Sequence, residues 1–152
     1  MTPSLTTLSL TSTAFANGQS IPAKYSCIGR AISPPLAWNE PPAATRSFAL
    51  IADDPDAPGG TWVHWVVFNL PASARGLDEA VSLDNNLQGS NSWGRLGYGA
   101  PCPPSGTHRY FFKLYALDGM LTLSKGVSKS ELLQAMKGRI LAQGELMGTF
   151  SK

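Results

Sequence analysis

Proline and glycine interrupt this chain so often that long helices are excluded from most of it. Twelve prolines and fifteen glycines are spread over 152 residues. A proline inside a helix removes a hydrogen bond and clashes with the preceding turn, and each glycine adds backbone entropy that a helix must overcome. Strands and turns tolerate such punctuation. Three runs between the breaks read as strands: Ser47 to Ala52 (SFALIA), Trp62 to Leu70 (WVHWVVFNL) and His108 to Leu117 (HRYFFKLYAL), the longest and most aromatic. Their nearly continuous apolar character predicts central strands covered on both faces. Thr6 to Leu10 is a shorter run at strand spacing. Residues Ile32 to Pro42, Asp53 to Thr61, Leu83 to Tyr98 and Gly99 to Thr107 read as loops. With no repeat, low-complexity tract or linker, residues 1–152 are expected to form a single domain.

One helix is signalled. Ser128 to Glu131 (SKSE) has the spacing at which a serine hydroxyl and a glutamate carboxylate satisfy each other's free amides. Leu132, Leu133, Met136, Ile140 and Leu141 follow at helical spacing and predict one apolar face docked on a sheet.

Charge narrows the partners. Only 14% of residues are charged and the formal net charge is +2. The basic residues are scattered, with no run of like charges, which excludes nucleic acid as an expected partner. No apolar run reaches the length of a transmembrane segment. Ala14-Phe15-Ala16 has the form of a cleavage site, but no basic n-region or apolar h-region precedes it, so no signal peptide is expected. The expected location is the cytoplasm. Cys27 and Cys102 are therefore expected as two reduced thiols. A disulfide would require the fold to bring their Cα atoms within about 7 Å.

The residues that could carry chemistry fall into two groups. Asp53-Asp54-Pro55-Asp56-Ala57-Pro58 follows directly on SFALIA. In extended backbone Asp54 and Asp56 point to the same side; the alternative is a turn in which aspartates cap loop amides. His64 follows in an apolar strand, where an imidazole needs a polar partner, and the short intervening loop makes these carboxylates the expected one. The second group is Gly97 to Leu117. Pro101, Pro103 and Pro104 have no amide proton, so the loop's donors are Ala100, Cys102 and Ser105. His108 and Tyr110 share a face beyond it. A stiff loop with free amides can form an anion-binding concavity. A metal site and a Cys102–His108 hydrolase use the same residue types, but neither a recurrent metal-ligand spacing nor an oxyanion hole is visible.

These motifs resemble the phosphatidylethanolamine-binding proteins, called Raf kinase inhibitor proteins in animals. DPDAP, WVHW and the proline-rich loop into HRY carry the resemblance, with IPAKYSCIGRAISPPLAWNEPP, YALD and ILAQGELMGTFSK. It runs from about Leu8 to Lys152, and the bacterial and archaeal branch is the better match. The resemblance implies a mainly β fold: a large central β-sheet packed on a smaller sheet, with a few peripheral helices. It also implies a small pocket for phosphate-like anions, whether a phospholipid headgroup or another phosphorylated ligand. Carried over by motif, Asp54, Asp56, Trp62, His64, His108 and Tyr110 are pocket residues, Ala100 and Cys102 offer amides, and Pro103 and Pro104 form a wall. Glycine is usual in the family where this chain has Ala100, so a methyl group there is expected to narrow the pocket, with strain if the backbone requires positive φ.

The expected function is therefore non-enzymatic binding, with regulation of a kinase or protease as its protein-partner form. No cofactor and no metal are expected, and a homodimer is left open. The alternative is a hydrolase or metal-dependent enzyme built on the Asp/His cluster.

Overall fold

The computed structural model describes residues 6–152; residues 1–5 of the expected domain lie outside the described residues. Among the described residues, eight strands form two sheets. In chain order they are β1 (Thr6–Thr7), β2 (Leu10–Thr11), β3 (Leu36–Trp38), β4 (Ser47–Asp54), β5 (Trp62–Pro71), β6 (Gly76–Leu77), β7 (Thr107–Leu117) and β8 (Ile140–Ser151). The large sheet has the order β1-β8-β7-β4-β5, and the small one β2-β3-β6. The helix α1 (Lys129–Met136) packs outside the large sheet.

Alternation along β4 explains the two covered faces. Phe48 and Leu50 belong to the core shared with the small sheet, where Phe48 meets Trp38 at a ring distance of 5.4 Å. Ala49 and Ile51 point the other way, into a second cluster with Val66, Phe68, Leu132 and Met136. All eight residues of β4 are buried. β5 departs from expectation, since it lies at a sheet edge rather than in the centre. The following chain covers that edge: Gly89 N–H donates to the Val66 carbonyl at 2.9 Å, Ser92 N–H to Val63 at 2.9 Å and Gly99 N–H to His64 at 2.8 Å. An edge paired in this way can be as apolar as a central strand.

Three readings are corrected. The capping box is present, with Glu131 N–H donating to Ser128 Oγ at 3.0 Å and Ser128 N–H to Glu131 Oε1 at 3.1 Å. The helix ends at Met136, however, and Ile140 and Leu141 belong to β8. Lys137 leaves helical geometry (ψ 125°) and Gly138 takes φ +77°, which ends the helix. Leu36–Trp38, inside the expected 32–42 loop, is a strand of the small sheet. Finally, Cys27 and Cys102 are not two thiols but one disulfide, with Cα atoms 5.4 Å apart. Cys27 N–H donates to the Pro101 carbonyl at 3.0 Å, so the backbones already meet where the side chains bond.

β8 is the longest strand, and its signal in the sequence is masked by glycine. Ala142, Gly144, Leu146, Gly148 and Phe150 all face inward. A Cβ on Gly144 would stand 2.3 Å from the Leu8 carbonyl oxygen, and one on Gly148 would stand 2.5 Å from Ile21. Those two glycines are required by close approach of the N-terminal segment. Among the described residues, no helix is long and apolar enough to cross a membrane.

Candidate functional site

β4 is antiparallel to both β5 and β7, so its C-terminal end lies beside the beginnings of the other two. Asp54 pairs with Trp62 across one side, and Asp53 with Phe111 across the other. Topology alone therefore gathers DPDAP, WVHW and HRY at one end of the sheet. The proline loop before β7 closes the third side. The result is a cleft of about 690 Å³, within the range of small-molecule sites.

Of the expected residues, Asp54, Trp62, His64, Cys102, Pro103, Pro104, His108 and Tyr110 line this cleft. Asp56 and Ala100 do not. Asp56 N–H donates to Asp54 Oδ1 at 2.7 Å, so the chain turns immediately after β4, and the two carboxylates do not share a face. Asp56 is instead held by Arg109, whose Nε and Nη2 each donate at 2.9 Å and whose amide adds a third bond of 2.9 Å. The Arg109 guanidinium holds the Asp56 carboxyl down at about 2.

The two imidazoles are fixed differently. His108 Nδ1 donates to Asp54 Oδ2 at 2.7 Å. His64 Nδ1 lies 2.7 Å from the Gly99 carbonyl oxygen, which can only accept. Nδ1 therefore carries a proton in both rings, and among the described residues Nε2 has no hydrogen-bond partner in either. The expected carboxylate partner of His64 is thus corrected to a backbone carbonyl 35 residues away. Burial pushes the His64 pKa below its ordinary value, against the opposing pull of the Gly99 carbonyl and of Asp54. The Tyr110 ring stands edge-on to His64 at 5.2 Å and stacks near His108 at 6.4 Å. Burial, followed by the charge of Asp54, raises its pKa and keeps the phenol protonated. The cleft thus holds a protonated phenol whose ring neighbours both imidazoles.

Trp93 and Ser92 also line the cleft and were not anticipated. Trp93 is 44% exposed and stands edge-on to both His64 and Trp62, at 5.1 and 5.4 Å. The available signal was Asn91-Ser92-Trp93-Gly94: Asn91 Oδ1 accepts from the amides of Trp93 and Arg95, and Gly94 takes φ +75°. Such a turn identifies a shaped loop, but nothing in it places the loop at the cleft.

Ala100 does not adopt positive φ, so the expected strain is absent. The glycine that the site needs is its neighbour. A Cβ on Gly99 would lie 2.0 Å from the Trp93 ring. Gly99→Ala is expected to push Trp93 outward and redshift its fluorescence, while stability falls by only about 1 kcal/mol, since an exposed ring can move. An unchanged emission spectrum in a folded variant would contradict this packing.

Cys102 is bonded to Cys27 and has no free thiol to pair with His108 as a nucleophile. Among the described residues, no three His, Cys, Asp or Glu side chains are grouped to hold a metal ion.

A two-sheet β protein with a cleft at the meeting of β4, β5 and β7 is the class these observations define. The family model for phosphatidylethanolamine-binding proteins matches residues 11–151, and the chain belongs to that family. A UPF0098 protein of Methanothermobacter thermautotrophicus is 48% identical over 150 residues, covering 95% of this chain and 99% of the relative. A UPF0098 protein of Chlamydia trachomatis is 47% identical with the same coverage. Among solved structures, a phosphatidylethanolamine-binding protein homologue from Chlamydia trachomatis superposes with TM-score 0.92 at 46% identity, covering 96% of this chain and 98% of that one. Escherichia coli YbcL, described as a member of the mammalian family, gives 0.87 at 30% identity, covering 95% and 98%.

Proposed function

We propose that the cleft binds a phosphate-like anion, a phospholipid headgroup or another phosphorylated group, and that the protein acts by binding rather than by catalysis. One observation carries this reading: both imidazoles spend Nδ1 on acceptors inside the protein, so both Nε2 atoms are left to a ligand, with the Tyr110 ring beside both imidazoles. Anion binding needs donors, and these rings become donors at Nε2 when protonated. A kinase or protease regulated through this cleft would present a phosphorylated or acidic side chain to the same atoms.

The charge assignment predicts a pH dependence. His64 is held neutral by burial at pH 7, and an incoming anion favours its protonated form. Binding therefore takes up a proton, and affinity rises as pH falls below the ordinary histidine value of about 6.5. Sulfate is the suitable probe, because its own charge does not change in this range. Calorimetric titrations from about pH 8 to pH 5 are expected to show sulfate binding tighten at least tenfold, the size of one charged hydrogen bond. Affinity that stays flat across this range refutes the role given to His64.

A further inference from the structure

We propose that the Cys27–Cys102 disulfide is a thiol–disulfide exchange site that sets how well the cleft holds its ligand; the proposal rests on the anion-binding reading above. Cys102 lines the cleft, and both cysteines are exposed to solvent. A thiol from solution can therefore reach the bond without unfolding the protein.

The two ends of the disulfide are unequally held. Cys27 follows a firmly built turn. The Tyr25 hydroxyl donates to Glu79 Oε1 at 2.5 Å, the Tyr98 hydroxyl donates to the Tyr25 carbonyl at 2.9 Å, and Ser26 is fully buried with its hydroxyl on the Ala23 carbonyl at 2.7 Å. The wall containing Cys102 has little of this kind. Pro101, Pro103 and Pro104 contribute no amide donors, and among the described residues the hydrogen bond tying segment 100–106 to the rest of the chain is Cys27 N–H to the Pro101 carbonyl. Disulfide and hydrogen bond thus converge on the same residue. Burial of Pro101 and Pro103 gives the loop an apolar footing, so opening the disulfide loosens the wall without detaching it.

The chemistry needs an external dithiol. Its thiolate attacks one sulfur, the Cys27–Cys102 bond breaks, and the other cysteine leaves as a thiolate that takes up a proton. The second thiol then attacks the mixed disulfide and releases the first cysteine. Two cysteines are reduced and the dithiol is oxidised to its disulfide; an external disulfide reverses the sequence. In the reduced form the cleft wall of Cys102, Pro103 and Pro104 loses its covalent tie to Cys27, so ordering it falls to the ligand and weakens binding.

The test compares full-length protein in oxidised, dithiothreitol-reduced and reoxidised forms. Sulfate titration at about pH 6, within the histidine range, is expected to show at least tenfold weaker binding after reduction and full recovery on reoxidation. Amide hydrogen exchange at Cys27, whose N–H donates to the Pro101 carbonyl, is expected to accelerate on reduction while β4 and β7 stay unchanged. Cys27→Ser is expected to bind like the reduced form and to ignore dithiothreitol; chemical reduction of the unaltered chain gives the same answer should that variant fail to fold. Equal sulfate affinity in the oxidised and reduced forms overturns the proposal, as does unchanged exchange at the Cys27 amide. If the oxidised protein binds no sulfate, the anion reading is what fails, and the exchange measurement alone then judges the disulfide's hold on the loop.

Discussion

Asp54→Ala is expected to destabilise the protein by about 3 kcal/mol, because it strands two donors in the interior. Asp54 is 3% exposed, and its two oxygens accept from His108 Nδ1 and from the Asp56 amide, each at 2.7 Å. Alanine replaces neither acceptor. For a chain of this length that loss corresponds to a melting temperature lower by about 10 °C, which differential scanning calorimetry would register. A melting point within a degree or two of the parent would mean that the Asp54–His108 contact does not order this end of the sheet.

Asp54→Asn separates order from charge. The Asp56 amide still needs an acceptor, so the asparagine carbonyl takes that side and its NH₂ faces His108. An NH₂ group can only donate, which forces His108 Nδ1 to accept and moves the ring proton to Nε2. The neutral imidazole then presents a donor to the cleft. The asparagine variant should therefore keep most of the stability lost by alanine, and it should bind sulfate at pH 8 at least tenfold tighter than the parent. Loss of a carboxylate charge near the anion acts in the same direction. Weaker binding at pH 8 would show that the carboxylate's grip on His108 matters more than the proton's position.

How much of this could be read from sequence depends on the range of the interactions. SFALIA was recognisable because a strand buried on two faces needs apolar residues at nearly every position. WVHWVVFNL and HRYFFKLYAL were recognisable as long runs rich in aromatic and β-branched residues, although β7 buries only alternate positions over most of its length. SKSE was recognisable because a capping box is completed within four residues. The site's residue types were legible through motif resemblance, but the partners were not. Nothing local distinguishes a carboxylate eight residues from His64 from the Gly99 carbonyl 35 residues away. That contact depends on the 85–99 segment covering the edge of β5, which is a tertiary event. β8 was hidden for the converse reason: Gly144 and Gly148 occupy inward positions where a hydrophobic pattern would show large side chains. The three-residue β3 was too short to establish a period. The expectation of reduced cysteines rested on the N-terminal residues, where no signal-peptide features are visible, and not on geometry. The geometry brings two loops together through the Pro101 carbonyl, and only the folded chain shows it.

Opening the Cys27–Cys102 disulfide is expected to lower global stability by about 4 kcal/mol, judged from the 75-residue separation of its ends. The constraint acts mainly on the unfolded chain, whose conformational freedom increases when the loop is released. It should therefore appear as a melting temperature lower by about 10 °C or more, with the core clusters around Phe48 and Phe68 still intact at room temperature. Scanning calorimetry on oxidised and reduced protein tests the first part, and near-ultraviolet circular dichroism of the buried Trp38 and Trp65 tests the second. This loss is separable from the change at the cleft, because one is set by loop length and the other by the few ties on the proline wall. A variant that adds stability in the β4–β7 core should recover the melting temperature of the reduced protein without recovering its sulfate affinity. If the two recover together, the wall is ordered by general stability, and the disulfide contributes nothing specific to the cleft.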